Sequence, residues 1–83
     1  MIIQEAESLV NGQRAQDYGD INESFTRIAG MWSAYLGVTI TPHDVVNMMI
    51  QLKVSRARNS RKYDSFLDIV GYVLCAEKLG LEK

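Results

Sequence analysis

The sequence predicts an all-α protein, a compact four-helix domain whose third and fourth helices form an antiparallel hairpin. Two observations lead to this prediction. Apolar residues recur every three to four positions in four separate segments, which is the period of an amphipathic helix. Short polar stretches with glycine, asparagine or proline separate these segments, and such residues commonly end or begin helices. The apolar run Val38–Ile40 is too short to found a sheet and is predicted to be an extended connection.

The first two helices are predicted from their apolar spacing and their ends. The first covers about Ile2 to Val10, and Gly12 is expected to end it in the left-handed conformation of a helix cap. Residues 13–20 are predicted to form an ordered loop or a broken helical turn. The second helix begins near Asn22 and ends at Gly37. Its predicted apolar face consists of Ile21, Phe25, Ile28, Ala29, Trp32, Tyr35 and Leu36.

The third helix has a clear start signal and the fourth an unusual composition. Thr41 is predicted to cap the third helix, with Pro42 in its first turn and the Asp44 carboxylate reaching back to the cap. This helix is expected to end near Arg58. The fourth runs from about Tyr63 to Leu79 and is apolar on almost all sides. It is therefore predicted to be central in the fold or shared between subunits.

The length and composition predict one domain that associates with itself. The 83 residues leave room for a single helical domain, residues 1–83. Apolar residues make up 47% of the chain, more than one small core readily hides. The expected assembly is a homo-oligomer, most simply a two-fold dimer with the fourth helix in the contact.

Charge and cysteine content restrict the possible ligands. The net charge of −1 gives no overall field that would steer the chain to nucleic acid or to an anionic membrane. One cysteine and one histidine exclude an intramolecular disulfide and a Cys/His zinc site within one chain. A bound metal would need oxygen ligands, which favours Mg²⁺ or Mn²⁺. No apolar run is long enough to span a bilayer, so the cytoplasm is the expected compartment.

Two aspartates in the fourth helix are the main candidates for a site. Asp64 and Asp68 are four residues apart, so a helix places both on one face among apolar neighbours. They need either cationic partners such as Lys53 and Arg56 or a metal ion. Asp68 lies a full turn deeper and is predicted to be the carboxylate most closely linked to function. Asp44 is either the helix cap or a third metal ligand.

The candidate ligand-binding residues lie in three segments. If Lys53 and Arg56 face the two aspartates, cations and carboxylates together would suit a phosphate–metal site with Mg²⁺. Asp17 and Tyr18 belong to a charged cluster around a glycine, which is either a solvated loop or part of a binding site. Tyr72 follows Asp68 by one turn and completes the set.

Four ordered motifs cover nearly the whole chain. They are R-x-x-D-Y-G-D from Arg14 to Asp20, F-x-x-I-A-x-M-W from Phe25 to Trp32, D-V-x-x-M-M-x-x-L-K-x-S-R from Asp44 to Arg56, and Y-D-S-x-x-D-I-x-G-Y from Tyr63 to Tyr72. Together these motifs resemble a family of small phage and prophage proteins of uncharacterised function. The resemblance implies a phage-type protein in the host cytoplasm.

The helical layout is more distantly similar to the all-α nucleotide pyrophosphohydrolases of the MazG-like group. Those enzymes hold magnesium with E-x-x-E on one helix and E-x-x-D on the next. In this sequence Thr26 and Arg27 stand where a second acid would be expected after Glu23. Likewise, the residue three positions after Asp44 is Asn47. The resemblance therefore implies a protein that handles a nucleotide or phosphate ligand, with or without catalysis. The alternative is a non-enzymatic phage protein that binds a host factor.

Overall fold

A computed structural model describes residues 1–12 and 20–83 of the chain. Within these two ranges the regular structure consists of four α-helices, and no strand occurs there. The helices are α1 (Ile2–Asn11), α2 (Ile21–Leu36), α3 (Pro42–Ala57) and α4 (Tyr63–Leu79). The all-α prediction is confirmed. None of the described helices combines the length and the hydropathy that a bilayer crossing requires.

Helix α4 is the centre of the arrangement because it packs against each of the other three helices. Its most extensive partner is α3, which joins it through residues 58–62, so the predicted hairpin is confirmed. Helix α1 packs on another side of α4, where the Tyr63 hydroxyl donates a hydrogen bond to the Glu5 carboxylate. This bond raises the pKa of Tyr63 above its ordinary value. The buried core cluster consists of Phe25, Ala29, Val45, Val46 and Cys75.

Helix α3 begins with the predicted capping box. The Asp44 N–H donates to Thr41 Oγ1 at 3.1 Å, and the Thr41 N–H donates to Asp44 Oδ2 at 2.9 Å. Pro42 occupies the first turn, where its missing N–H leaves no bond unmade. The reciprocal bonds satisfy two backbone donors that the helix itself cannot satisfy, so they fix where α3 starts.

The capping box predicts a dependence of stability on pH. The hydrogen bond from the Thr41 backbone is the largest cause that holds the pKa of Asp44 below its ordinary value of 3.8, and the nearby His43 charge adds to it. A carboxyl whose pKa is lower in the folded state contributes stability above its unfolded pKa and loses it as the pH falls through the folded value. Melting of the parent and of Asp44→Ala from pH 6 to pH 3 is expected to show a difference in Tm that shrinks below about pH 4. A constant difference across this range would contradict the assignment.

Two glycines end helices in different ways. Gly37 has φ +73°, a left-handed conformation, and its N–H donates to the Ser33 carbonyl at 2.9 Å. Gly12 does not adopt the predicted left-handed cap, because its φ is −102°. Glycine is nevertheless required there, since a Cβ at Gly12 would lie 2.4 Å from the Ser8 carbonyl oxygen. The close approach of two backbone segments, not a positive φ, explains this glycine.

The predicted apolar face of α2 is only partly buried. Phe25 and Ala29 belong to the core, and Trp32 packs against it. Tyr35 and Leu36 are exposed, with 90% and 53% of their surface accessible. The buried part of this face therefore ends before Tyr35, and the last two apolar residues of α2 face solvent.

Candidate ligand-binding site

A pocket of about 430 Å³ lies where the four helices meet. Its volume falls in the range of roughly 300–1,000 Å³ that is typical of small-molecule sites. Most of its wall is apolar, and each helix contributes to it. The lining residues are Ala6, Leu9 and Val10 from α1; Ile21, Ser24, Phe25, Ile28 and Trp32 from α2; Val45, Met49 and Lys53 from α3; and Leu67, Asp68, Gly71, Tyr72 and Cys75 from α4.

An ion pair between α3 and α4 provides the charged part of this wall. Lys53 Nζ lies 2.9 Å from Asp68 Oδ2, and the two side chains are only 16% and 23% exposed. It is the only salt bridge among residues 1–12 and 20–83. Both residues line the pocket. The pair therefore fixes how α3 meets α4 and also presents a cation and a carboxylate to the pocket.

Three aromatic side chains lie along the pocket wall. Phe25 and Tyr72 meet edge to face, with ring centroids 6.5 Å apart and an interplanar angle of 77°. Phe25 is buried, whereas Trp32 and Tyr72 are half-buried. Partly exposed aromatic rings can stack on a planar ligand group, and a lysine ammonium can bind a phosphate. The pocket thus combines aromatic surface with a cationic group.

The structure brings only part of the predicted site together. Lys53, Asp68 and Tyr72 line the pocket. Arg56 and Asp64 are exposed, in the last turn of α3 and the first turn of α4, and neither lines the pocket. Both belong to the end of the hairpin near its connection, whereas Lys53 and Asp68 lie one turn further from it.

Of the other predicted site residues, one has a structural role and two lie outside the described residues. Asp44 belongs to the capping box and does not line the pocket. Asp17 and Tyr18 lie outside the described residues, so their predicted role stays a prediction. Within the described ranges there is no group of three or more His, Cys, Asp or Glu side chains that could hold a metal ion. Asp44, Asp64 and Asp68 are therefore not brought together as one set of metal ligands.

Sequence reasoning missed the contribution of α2 to the site. Ser24, Phe25 and Trp32 line the pocket beside Lys53 and Asp68. The spacing of Phe25 and Trp32 by seven residues places them on one helix face, but the same spacing is found in any core stripe. Only the arrangement of the four helices distinguishes a pocket wall from a filled core.

The chain belongs to a family described as Domain of unknown function (DUF6378), whose model matches residues 1–80. It is 50% identical over 82 residues to the Gene 55 protein of Mycobacterium phage L5, a match that covers 96% of this chain and 53% of the relative. The Gene 55 protein of Mycobacterium phage D29 is 39% identical over 79 residues, with 94% of this chain and 52% of the relative covered. The predicted relationship to phage proteins is confirmed.

The chain spans about half the length of these two curated relatives. No solved structure matches it.

Proposed function

We propose that this domain binds a nucleotide, or a related phosphate-bearing ligand, in the pocket between its four helices. The observation that carries the proposal is the Lys53–Asp68 pair in the wall of a mostly apolar, partly aromatic pocket. Pockets of this kind, with a few convergent polar groups in an apolar wall, are typical of small-molecule sites.

The charges and the aromatic rings suit different parts of such a ligand. Removing two charges from water costs free energy, and this cost is offset only if each charge also has further hydrogen-bond or ionic partners. A ligand phosphate that approaches Lys53 supplies a further anionic partner for the ammonium. Trp32 and Tyr72 offer the ring surface on which a base can stack. Asp68 can accept hydrogen bonds from amino or hydroxyl groups of the ligand.

The proposed scaffold is similar to the MazG-like group, and the proposed role is binding without hydrolysis. The carboxylate motifs of that group are lacking at Glu23–Arg27 and at Asp44–Asn47. The described residues also contain no cluster of three metal-ligand side chains. Mg²⁺ would accompany the ligand, since this ion is commonly bound through one or two carboxylates together with substrate phosphates. Asp68 is the carboxylate available to it in the pocket wall.

Thermal melting with nucleoside mono-, di- and triphosphates, with and without Mg²⁺, tests this function. At a ligand concentration about one hundred times Kd, binding adds about 2.7 kcal/mol to stability. For a domain of this size that corresponds to a rise in Tm of roughly 10–20 °C. The matched control is Lys78→Gln, which removes a lysine charge from an exposed position in the last turn of α4 and should keep the full shift. The proposal fails if no nucleotide raises the Tm of the parent.

We also propose that two copies associate through the outer face of the α3–α4 hairpin. The Lys53–Asp68 contact sets the register of the hairpin, so Met48 and Val73, each five residues further from the turn, lie at the same level. Met48, Leu52 and Val73 remain 38%, 43% and 50% exposed. A second copy would remove this apolar surface from water. A host protein is the alternative occupant of the same face.

Light scattering distinguishes the two occupants. The parent is expected to have twice the mass of one chain, and Val73→Glu should be monomeric because it places a charge in the contact. Tyr35→Glu is the control, since Tyr35 is 90% exposed at the end of α2. A parent that is monomeric at tens of micromolar, which corresponds to a binding free energy of only about 6–7 kcal/mol, would contradict the dimer and favour the host protein.

A further inference from the structure

The turn between α3 and α4 concentrates positive charge in a chain whose net charge is −1. Residues 53–62 contain five of the nine Lys and Arg residues and no Asp or Glu. Lys53 is paired with Asp68. The remaining four are Arg56, Arg58, Arg61 and Lys62, and together they are called the basic turn below.

All four side chains of the basic turn are exposed. None of them forms a salt bridge with a carboxylate in the described part of the chain. The nearest acid in sequence is Asp64, which is itself exposed in the first turn of α4. The charges of the basic turn therefore face solvent and repel one another.

Helix stability does not explain the whole of this cluster. Arg56 lies in the last turn of α3, where a cation is favourable to the helix dipole. Arg61 and Lys62 precede α4, and Lys62 occupies its N-cap position without a side-chain capping bond. Positive charges at a helix N-terminus oppose the dipole, and lysine is not a favoured cap. The fold thus carries these two charges at a cost, which points to a role in recognition.

The chemistry beside the basic turn indicates the kind of partner. Tyr63 and Phe66, in the first turn of α4, are 51% and 43% exposed. Three of the four cations are arginines, whose planar guanidinium groups bind phosphate with two parallel hydrogen bonds. Exposed aromatic rings next to such cations are the combination by which proteins bind single strands, with phosphates on the cations and bases stacked on the rings.

We propose that the basic turn, together with Phe66, binds single-stranded nucleic acid through its phosphates, with a base stacked on the Phe66 ring. The net charge of the whole chain conceals this surface because all ten Asp and Glu residues lie outside residues 53–62. The surface is separate from the pocket, since none of these five residues lines it. The inference therefore does not depend on the proposed nucleotide site.

Fluorescence anisotropy with a labelled single strand of about 20 nucleotides tests the proposal, because that length exceeds the roughly 4–16 nucleotides of many single-strand sites. If four phosphates are neutralised, the logarithm of the binding constant should fall with the logarithm of salt concentration with a slope of about −3. The variant Arg61→Gln/Lys62→Gln should reduce this slope by about 1.4 and weaken binding at low salt. Phe66→Ala should weaken binding by a factor of roughly 5 to 150.

The matched control is Arg27→Gln/Lys78→Gln, which removes one arginine and one lysine charge from exposed positions on α2 and α4. It should bind like the parent. The unfavourable effect of these two charges on α4 can be measured separately. If they oppose the helix dipole, Arg61→Gln/Lys62→Gln should melt at the same or a higher temperature than the parent. Equal loss of binding in both paired variants, no effect of Phe66→Ala, or a salt slope near zero would overturn the proposal. Competition by polyglutamate as strong as that by the oligonucleotide would also overturn it and indicate an acidic protein partner.

Discussion

Replacement of Phe25 by alanine is expected to lower the free energy of unfolding by about 3–5 kcal/mol. Phe25 is 8% exposed, belongs to the core cluster and meets the Tyr72 ring edge to face. The substitution removes the largest side chain of that cluster and leaves a cavity beside the existing pocket. In a domain of this size the Tm should fall by roughly 12 °C or more, measured by thermal unfolding followed by circular dichroism.

Tyr35→Ala is the control for this experiment, because it removes an aromatic ring from the same helix at a position that is 90% exposed. Its effect should stay within about 0.5 kcal/mol. A loss of less than about 1 kcal/mol in Phe25→Ala would mean that the core is not organised around this ring.

Asp68→Asn is expected to cost about 1–3 kcal/mol, between the values for exposed and buried ion pairs. The substitution keeps the shape of the side chain but leaves the Lys53 ammonium, whose side chain is 16% exposed, without its anionic partner. Asp64→Asn is the matched control one turn earlier on the same helix, since Asp64 is exposed. It should change stability little, and urea unfolding of both variants measures the difference.

A double variant separates two effects of Asp68→Asn: the loss of the ion pair, and the cost of leaving the Lys53 charge without a partner. Lys53→Met/Asp68→Leu replaces both charges by apolar groups of similar volume and should recover most of the stability that Asp68→Asn loses. Equal losses in Asp64→Asn and Asp68→Asn would contradict the assignment of the pair. A double variant no more stable than Asp68→Asn would contradict the view that the stranded charge causes the loss.

Much of the fold could be predicted because its local signals agree with its packing. Thr41, Pro42 and Asp44 form a start signal that depends only on neighbours in sequence, and the structure contains the capping box they predict. Because α4 is apolar on almost all sides, the sequence predicts a central helix, and in the structure α4 packs against the other three helices. Gly12 shows the limit of such reasoning, because a glycine kept for a close backbone approach looks the same in sequence as one kept for a positive φ.

The site could be predicted only in part because it depends on the register between helices. The depth of Asp68 in α4 distinguishes it from the other carboxylates in the sequence, and Lys53 is one of several cations that could pair with it. In the structure Lys53 pairs with Asp68 and lines the pocket, whereas Arg56 is exposed and does not line it. The sequence alone does not distinguish these two cations, which lie three residues apart on the same helix. It also could not show that Trp32 lines a cavity, since a buried stripe on α2 would have the same spacing.

The most direct test of the nucleotide pocket compares the parent with Lys53→Met/Asp68→Leu in melting experiments with the nucleotide that shifts the parent most. The double variant is expected to keep the fold and the aromatic wall, while it removes both charges from the pocket. We expect the Tm of the parent to rise by roughly 10 °C or more at about one hundred times Kd, and that of the double variant to rise almost not at all. Equal shifts in both proteins, or no shift in the parent with any nucleotide, would contradict a nucleotide site in this pocket.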